Sequence, residues 1–154
     1  MIVIGYPGVG KSTLARKCSR CVDLESSAFF VEGIRPDDWY VYYCSVAEDL
    51  SRQGKTVFVS SHKLVMDRLL ESKENIIMIM PHFDLKEEWI EKLYDRYTMS
   101  FSEKDKKAFE RARDHIDEDI VNMYQYPYRM VFIQDMNYDL LLLIDNAKMG
   151  IGVI

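Results

Sequence analysis

The chain has 154 residues, a formal net charge of −5 from 25 acidic and 20 basic side chains, and a hydrophobic share of 48%. That length suits one domain and that share fills a core, while the low Gly and Pro content excludes wholesale disorder. Residues 1–80 balance ten acids with ten bases and residues 81–154 set fifteen acids against ten bases, which excludes a non-specific nucleic-acid binder with its basic face but leaves room for a local anion pocket. No apolar run approaches the ~20 residues that span a bilayer, so no membrane partner is expected. The odd count of three cysteines and the lack of a signal-peptide pattern predict a reduced, cytoplasmic protein. Cys18 and Cys21 form a C-x-x-C, but no second pair completes a four-ligand zinc site, and packing is their expected role.

Short apolar runs alternate with amphipathic stretches along the whole chain. Met1–Gly5 is the first apolar run, followed by a helical stretch from Ser12 to Arg20. Cys21–Glu25 is the second run. In residues 38–50, Trp39, Tyr42, Tyr43, Val46 and Leu50 recur at helical spacing. Thr56–Ser61 is a third run, and a short helix over 63–72 follows, with Ser60 and Ser61 as cap candidates. Asn75–Pro81 is the fourth run. Over 84–97, Asp84 and Glu87 make a D-x-x-E start signal and Leu85, Trp89 and Leu93 repeat every four residues. Ala108, Ala112, Ile116, Ile120 and Met123 stripe a helix over 103–124, Met130–Gln134 is the last run, and a final helix covers about 138–147. Runs with little polar alternation suit strands buried on both faces of a parallel sheet. The alternation predicts an α/β fold, a three-layer α/β/α sandwich, in a single domain over 1–154. Residues 98–127 are long for a crossover and read as a lid-like helical segment.

Residues 5–12, Gly5-Tyr-Pro7-Gly8-Val9-Gly10-Lys11-Ser12, match G-x-x-x-x-G-K-[ST] in full, between an apolar strand and a helix. Glycines let the backbone curl so that successive N–H groups point inward. The helix that follows adds its positive N-terminal end. Lys11 is then placed for the β- and γ-phosphates of ATP, and Ser12 offers a hydroxyl to Mg²⁺. With Thr13, the loop resembles the G-x-P-G-x-G-K-x-T loop of nucleoside monophosphate kinases such as adenylate kinase. The resemblance is specific over nine residues, and the order of elements is similar over most of the chain. It implies a five-stranded parallel sheet of the P-loop NTPase type, a helical lid insertion, and transfer of the ATP γ-phosphoryl group to an acceptor.

Asp23 and Glu25 end the second run two residues apart, hence on one side of a strand. Ligands of such sheets sit beyond the carboxyl ends of the strands, so Asp23 is expected at the metal or the acceptor and Glu25 at the acceptor; the D-x-E resembles the D-x-D of shikimate and gluconate kinases. The third run ends Ser60-Ser61-His62-Lys63, without the aspartate that NTPases carry there. Ser60, Ser61 and His62 are either contacts to substrate or to a metal-bound water, or serine helix caps beside a solvent-facing histidine ring. Among cations, Arg96 is favoured for the transferring phosphoryl group, as lid arginines of the resembling family fall in this part of the chain; Lys104, Lys107 and Arg111 lie on one face of the next helix. Asn137 and Tyr138 occupy the position where nucleotide kinases contact adenine. Arg35, Lys63 and Arg68 are candidate ligands for an acceptor phosphate. Trp39, Tyr40, Tyr42 and Tyr43 are a core stripe or an acceptor-base platform. The expected function is ATP- and Mg²⁺-dependent phosphorylation of a small-molecule acceptor, a nucleoside or deoxynucleoside monophosphate; a non-nucleotide metabolite or modified base, and a regulatory nucleotide-binding module, are the alternatives. The apolar tail Met149–Ile154 packs on the sheet or seals a homodimer, so the protein is a monomer or a homodimer.

Overall fold

A computed structural model describes all residues from Met1 to Ile154. Five strands, β1 (Ile2–Gly5), β2 (Cys21–Asp23), β3 (Thr56–Ser60), β4 (Ile76–Pro81) and β5 (Arg129–Ile133), form one parallel sheet in the order β2-β3-β1-β4-β5. Six α-helices alternate with them: α1 (Lys11–Lys17), α2 (Trp39–Arg52), α3 (Lys63–Leu69), α4 (Lys86–Ser100), α5 (Glu103–Tyr124) and α6 (Leu140–Lys148). All of β1 and β4 is buried, as expected of apolar runs that lack polar alternation. No helix is long and apolar enough to cross a membrane.

The chain divides into two compact units: Met1–Tyr6 with Gly10–Met78, and Pro7–Val9 with Ile79–Ile154. In the first, β1 pairs in parallel with β3 from Ile2↔Val57 to Gly5↔Ser60, and β2 pairs with β3 from Cys21↔Thr56 to Asp23↔Phe58. This register ends β1 and β3 level, at Gly5 and Ser60, and ends β2 two residues earlier, with Asp23 opposite Phe58.

Helix α2 departs from the expected stripe. It buries Trp39, Tyr43, Cys44, Ala47 and Ser51, while Tyr42 is 61% exposed and Val46 37%. The small residues Cys44 and Ala47 let the helix approach its neighbours closely, which turns the bulkier Tyr42 and Val46 outward. Burial pushes the Cys44 thiol up to about 12. Neither Ser60 nor Ser61 caps α3. His62 is the cap, its Nδ1 accepting from the Leu64 N–H at 3.3 Å, and Ser60 Oγ instead accepts from the His62 N–H at 3.0 Å. Cys18 and Cys21 form no disulfide and lie on a turn closed by the Cys21 N–H on the Cys18 carbonyl at 2.9 Å.

In the second unit, α4 and α5 form an antiparallel hairpin. Phe101 (φ 51°) closes α4 in the left-handed region, and Ser102 Oγ caps α5 by accepting from the Asp105 N–H at 3.1 Å. Trp89 and Leu93 on α4, and Ala112, Ile116, Ile120 and Met123 on α5, are buried as their spacing predicts. Asp84 does not cap α4: it lies in a 3₁₀ turn (Phe83–Leu85) capped by His82, and α4 begins at Lys86 without a side-chain cap. Ile154 pairs with the edge strand β5, exchanging both backbone hydrogen bonds with Met130 at 3.1 and 3.0 Å. The tail thus covers backbone groups that an open edge exposes.

Candidate phosphate-binding site

The glycine-rich segment connects β1 to α1. Gly8 and Gly10 have φ of +92° and +100°, which only glycine adopts without strain. Gly10 is the N-cap of α1, and no side chain caps that end, so the first-turn N–H groups of the helix are not satisfied by a capping oxygen. Lys11 Nζ reaches back across the loop and donates to the Gly5 carbonyl at 2.5 Å. Ser12 Oγ donates to Asp23 Oδ2 at 2.6 Å. That contact places the first turn of α1 beside the last residue of β2.

The loop's middle residues, Pro7, Gly8 and Val9, are held by side chains of the second unit. Trp89 Nε1–H donates to the Pro7 carbonyl at 2.8 Å. The Tyr138 hydroxyl donates to the Val9 carbonyl at 2.9 Å and lies 3.3 Å from the Gly8 carbonyl. A trans peptide points its C=O and the next N–H in opposite directions. Tying these three carbonyls to Trp89 and Tyr138 therefore turns the N–H groups of Gly8, Val9 and Gly10 the other way, and none of the three donates to a protein acceptor. A Cβ on Gly8 would lie 3.0 Å from Leu93 Cδ2 and 3.2 Å from Trp89 Nε1. Close packing on α4 as well as the positive φ thus demands glycine there.

Beyond the strand ends of the first unit lies a second cluster. The Tyr43 hydroxyl donates to the Leu24 carbonyl at 2.7 Å and accepts from the Ser60 N–H at 2.9 Å. It bridges the ends of β2 and β3, and burial raises its pKa so that the phenol stays neutral. Trp39, 3% exposed, meets the rings of Tyr43 and His62 edge-on at 5.4 Å each. Trp39 and Tyr43 are therefore core side chains, the latter with its hydroxyl in use, and not a free stacking platform. Burial, and next the charge of Arg35, lower the pKa of His62, as befits a ring whose Nδ1 accepts a hydrogen bond. The Arg35 guanidinium lies 4.3 Å over the Trp39 ring and 5.0 Å over Phe30, and donates to Ser26 Oγ at 3.3 Å. Of the three candidate acceptor-phosphate ligands, Lys63 is paired with Asp67 at 2.5 Å and Arg68 with Glu48 and Glu71 at 3.9 Å each. Arg35 makes no ion pair. Glu25 and Ser61 are half-buried in this unit, Glu25 at the start of the 3₁₀ turn Ser26–Phe29.

The other expected residues stand as follows. Arg96, on the last turns of α4, pairs with Asp105 of α5 at 2.7 Å, and Arg111 is bound to Asp119. Thr13 is exposed on α1. Asn137 is exposed, its N–H closing a turn on Asp135 Oδ1 at 2.8 Å. No group of three or more His, Cys, Asp or Glu side chains converges as a metal cage. Magnesium does not need one, since one or two protein ligands with substrate phosphates and water suffice. Ser12 and Asp23 fit that pattern in donor chemistry and in proximity.

Sequence reasoning did not identify Trp89 and Lys92 as neighbours of the loop. Trp89 reads as one position of an apolar stripe. Its indole N–H, which needs a partner when buried, was the available signal. No protein-family model matches the chain, and no curated protein matches it.

Proposed function

We propose that the chain is a P-loop kinase, a three-layer α/β/α protein that transfers the γ-phosphoryl group of ATP, with Mg²⁺, to a nucleoside or deoxynucleoside monophosphate. One observation carries the proposal: three successive loop carbonyls are tied back by Trp89 and Tyr138, which turns three successive N–H groups toward a common anion. The uncapped start of α1 and the Lys11 ammonium add positive potential at the end of the same loop. An oligophosphate is the ligand that such a cradle suits.

Each residue then has a definable task. The N–H groups of Gly8, Val9 and Gly10 hold the β-phosphate, and Lys11 leaves the Gly5 carbonyl to meet the β- and γ-phosphates. Ser12 and Asp23 hold Mg²⁺, which neutralises charge on the phosphates when bound. Glu25, Ser61 and His62 face the acceptor. The unpaired charge of Arg35 favours an acceptor that brings its own phosphate over a neutral polyol. Asn137 supplies an edge contact for the adenine, while the hydroxyl of Tyr138 remains on the loop. Residues 98–127, with α5 at their centre, act as the lid that excludes water from transfer. Arg96 exchanges Asp105 for the moving phosphoryl group when the lid closes.

Calorimetric titration of ATP-Mg into the wild type and into Lys11→Ala tests the loop assignment. The wild type should bind, and the variant should lose at least about tenfold in affinity, the worth of one charge-assisted contact, with an unchanged melting temperature. Equal affinity in the two proteins would refute a phosphate role for Lys11.

A further inference from the structure

Lys92 lies three residues after Trp89 and so on the same face of α4. Its ammonium sits 4.4 Å over the Trp89 ring and 4.9 Å over the Tyr138 ring, which stack with their centroids 6.0 Å apart. It makes no ion pair. Its hydrogen bond goes to the Tyr138 hydroxyl, at 3.0 Å. Burial, and next the charge of Arg96, lower its pKa, and burial raises the pKa of Tyr138 to about 12. A half-buried ammonium without a counter-charge is costly to keep, and a surface-facing lysine at this position of α4 would avoid that cost. The arrangement therefore needs an account beyond packing.

The hydrogen bonds run in one direction: Lys92 N–H to the Tyr138 oxygen, and Tyr138 O–H to the Val9 carbonyl. A cationic donor polarises the hydroxyl it binds, which makes that hydroxyl a stronger donor. The strengthened bond in turn draws density from the Val9–Gly10 amide, whose other end is the Gly10 N–H. The effect is to make that N–H a better donor to an anion and to fix its direction.

We propose that Lys92 is a positioning residue for the phosphate loop, acting through Tyr138 to orient and polarise the Gly10 N–H toward a bound oligophosphate. The inference rests on the loop being a phosphate site. It assigns Tyr138 to the loop's backbone rather than to a base. Trp89 performs the same task for the Gly8 N–H through the Pro7 carbonyl, without a charge behind it.

A double-mutant cycle tests it, with Mg²⁺ and inorganic tripolyphosphate as the calorimetric probe so that no base contact contributes. Lys92→Met keeps an apolar stem over the two rings and removes the charge. Tyr138→Phe keeps the ring and removes the relay. Each should weaken binding about tenfold, the double variant should be within about twofold of Tyr138→Phe alone, and Lys92→Arg should recover most of the loss. Lys92→Met with wild-type affinity overturns the proposal. So does a full additional loss from Lys92→Met in the Tyr138→Phe background, which would mean that the ammonium acts on the ligand directly. If Lys92→Met does not fold, Tyr138→Phe and Lys92→Arg still decide, because wild-type affinity in Tyr138→Phe removes the relay. Wild-type protein that fails to bind tripolyphosphate, or binds it equally as Lys11→Ala, overturns the loop assignment and this inference with it. Lys11-dependent binding that ignores Lys92 overturns the inference alone.

Discussion

Replacing Gly8 by alanine is the sharpest perturbation of the loop. The backbone there has φ +92°, and an L-residue in the left-handed region costs about 1–2 kcal/mol. The added methyl would sit 3.0 Å from Leu93 Cδ2 and 3.2 Å from Trp89 Nε1. Leu93 and Trp89 are fully buried and have little room to yield, so overpacking adds about 1–3 kcal/mol. Displacing the indole also strains its 2.8 Å bond to the Pro7 carbonyl, worth about 1 kcal/mol. With the loop in place, Gly8→Ala should lose about 3–6 kcal/mol, a large part of the ~5–15 kcal/mol that holds a typical domain. If the loop swings away instead, most of that strain is relieved, but the carbonyls of Pro7–Val9 leave their donors and phosphate affinity falls. Urea unfolding followed by tryptophan fluorescence, with a parallel ATP-Mg titration, separates the two outcomes. A variant within about 0.5 kcal/mol of wild-type stability, binding ATP-Mg with unchanged affinity, would refute the close approach of Gly8 to α4.

Two further outcomes follow from the strand ends of the first unit. Asp23→Asn keeps a partner for the Ser12 hydroxyl, which donates to Asp23 at 2.6 Å, but removes the charge; steady-state kinetics should lose about 100-fold or more in turnover, the scale of one well-placed electrostatic group, while ATP affinity changes less. His62 caps α3 with Nδ1 as acceptor and its folded pKa is lowered, first by burial and then by Arg35. The unfolded chain therefore takes up the proton first as pH falls, so the stabilisation is whole above about pH 6.5 and is lost as pH drops through the lower folded value. Thermal melts across pH 5–7.5 should show this loss in the wild type and a smaller one in His62→Asn, whose amide oxygen caps without titrating; equal profiles would remove His62 from the account.

The fold was legible because its central strands β3, β1 and β4 are buried on both faces. Ile2–Ile4, Val57–Val59 and Ile76–Met80 carry no polar alternation to confuse with a surface strand, and helical spacing marks Trp89 and Leu93, then Ala112 through Met123. The misses share a cause: which face or cap prevails depends on neighbours remote in sequence. Tyr42 looks as apolar as Tyr43, yet only Tyr43 has carbonyl and amide partners at its hydroxyl. Ser60 and Ser61 have better capping propensity than His62, but the Ser60 hydroxyl is taken up by the His62 N–H. In the loop, the motif identifies residues 5–12 by local spacing alone. What ties its carbonyls, Trp89 and Tyr138, lies 82 and 129 positions further along, where no local pattern points back to the loop.

The central claim is that this loop delivers a phosphoryl group to a phosphate-bearing acceptor. Coupled measurement of ADP release from ATP-Mg, against a panel of nucleoside and deoxynucleoside monophosphates with sugar acids and polyols as controls, tests it most directly. The account predicts release stimulated by at least one monophosphate, silent with the neutral polyols and absent in Lys11→Ala. ATP-Mg binding without stimulation by any acceptor in the panel, or stimulation by a polyol alone, would contradict it.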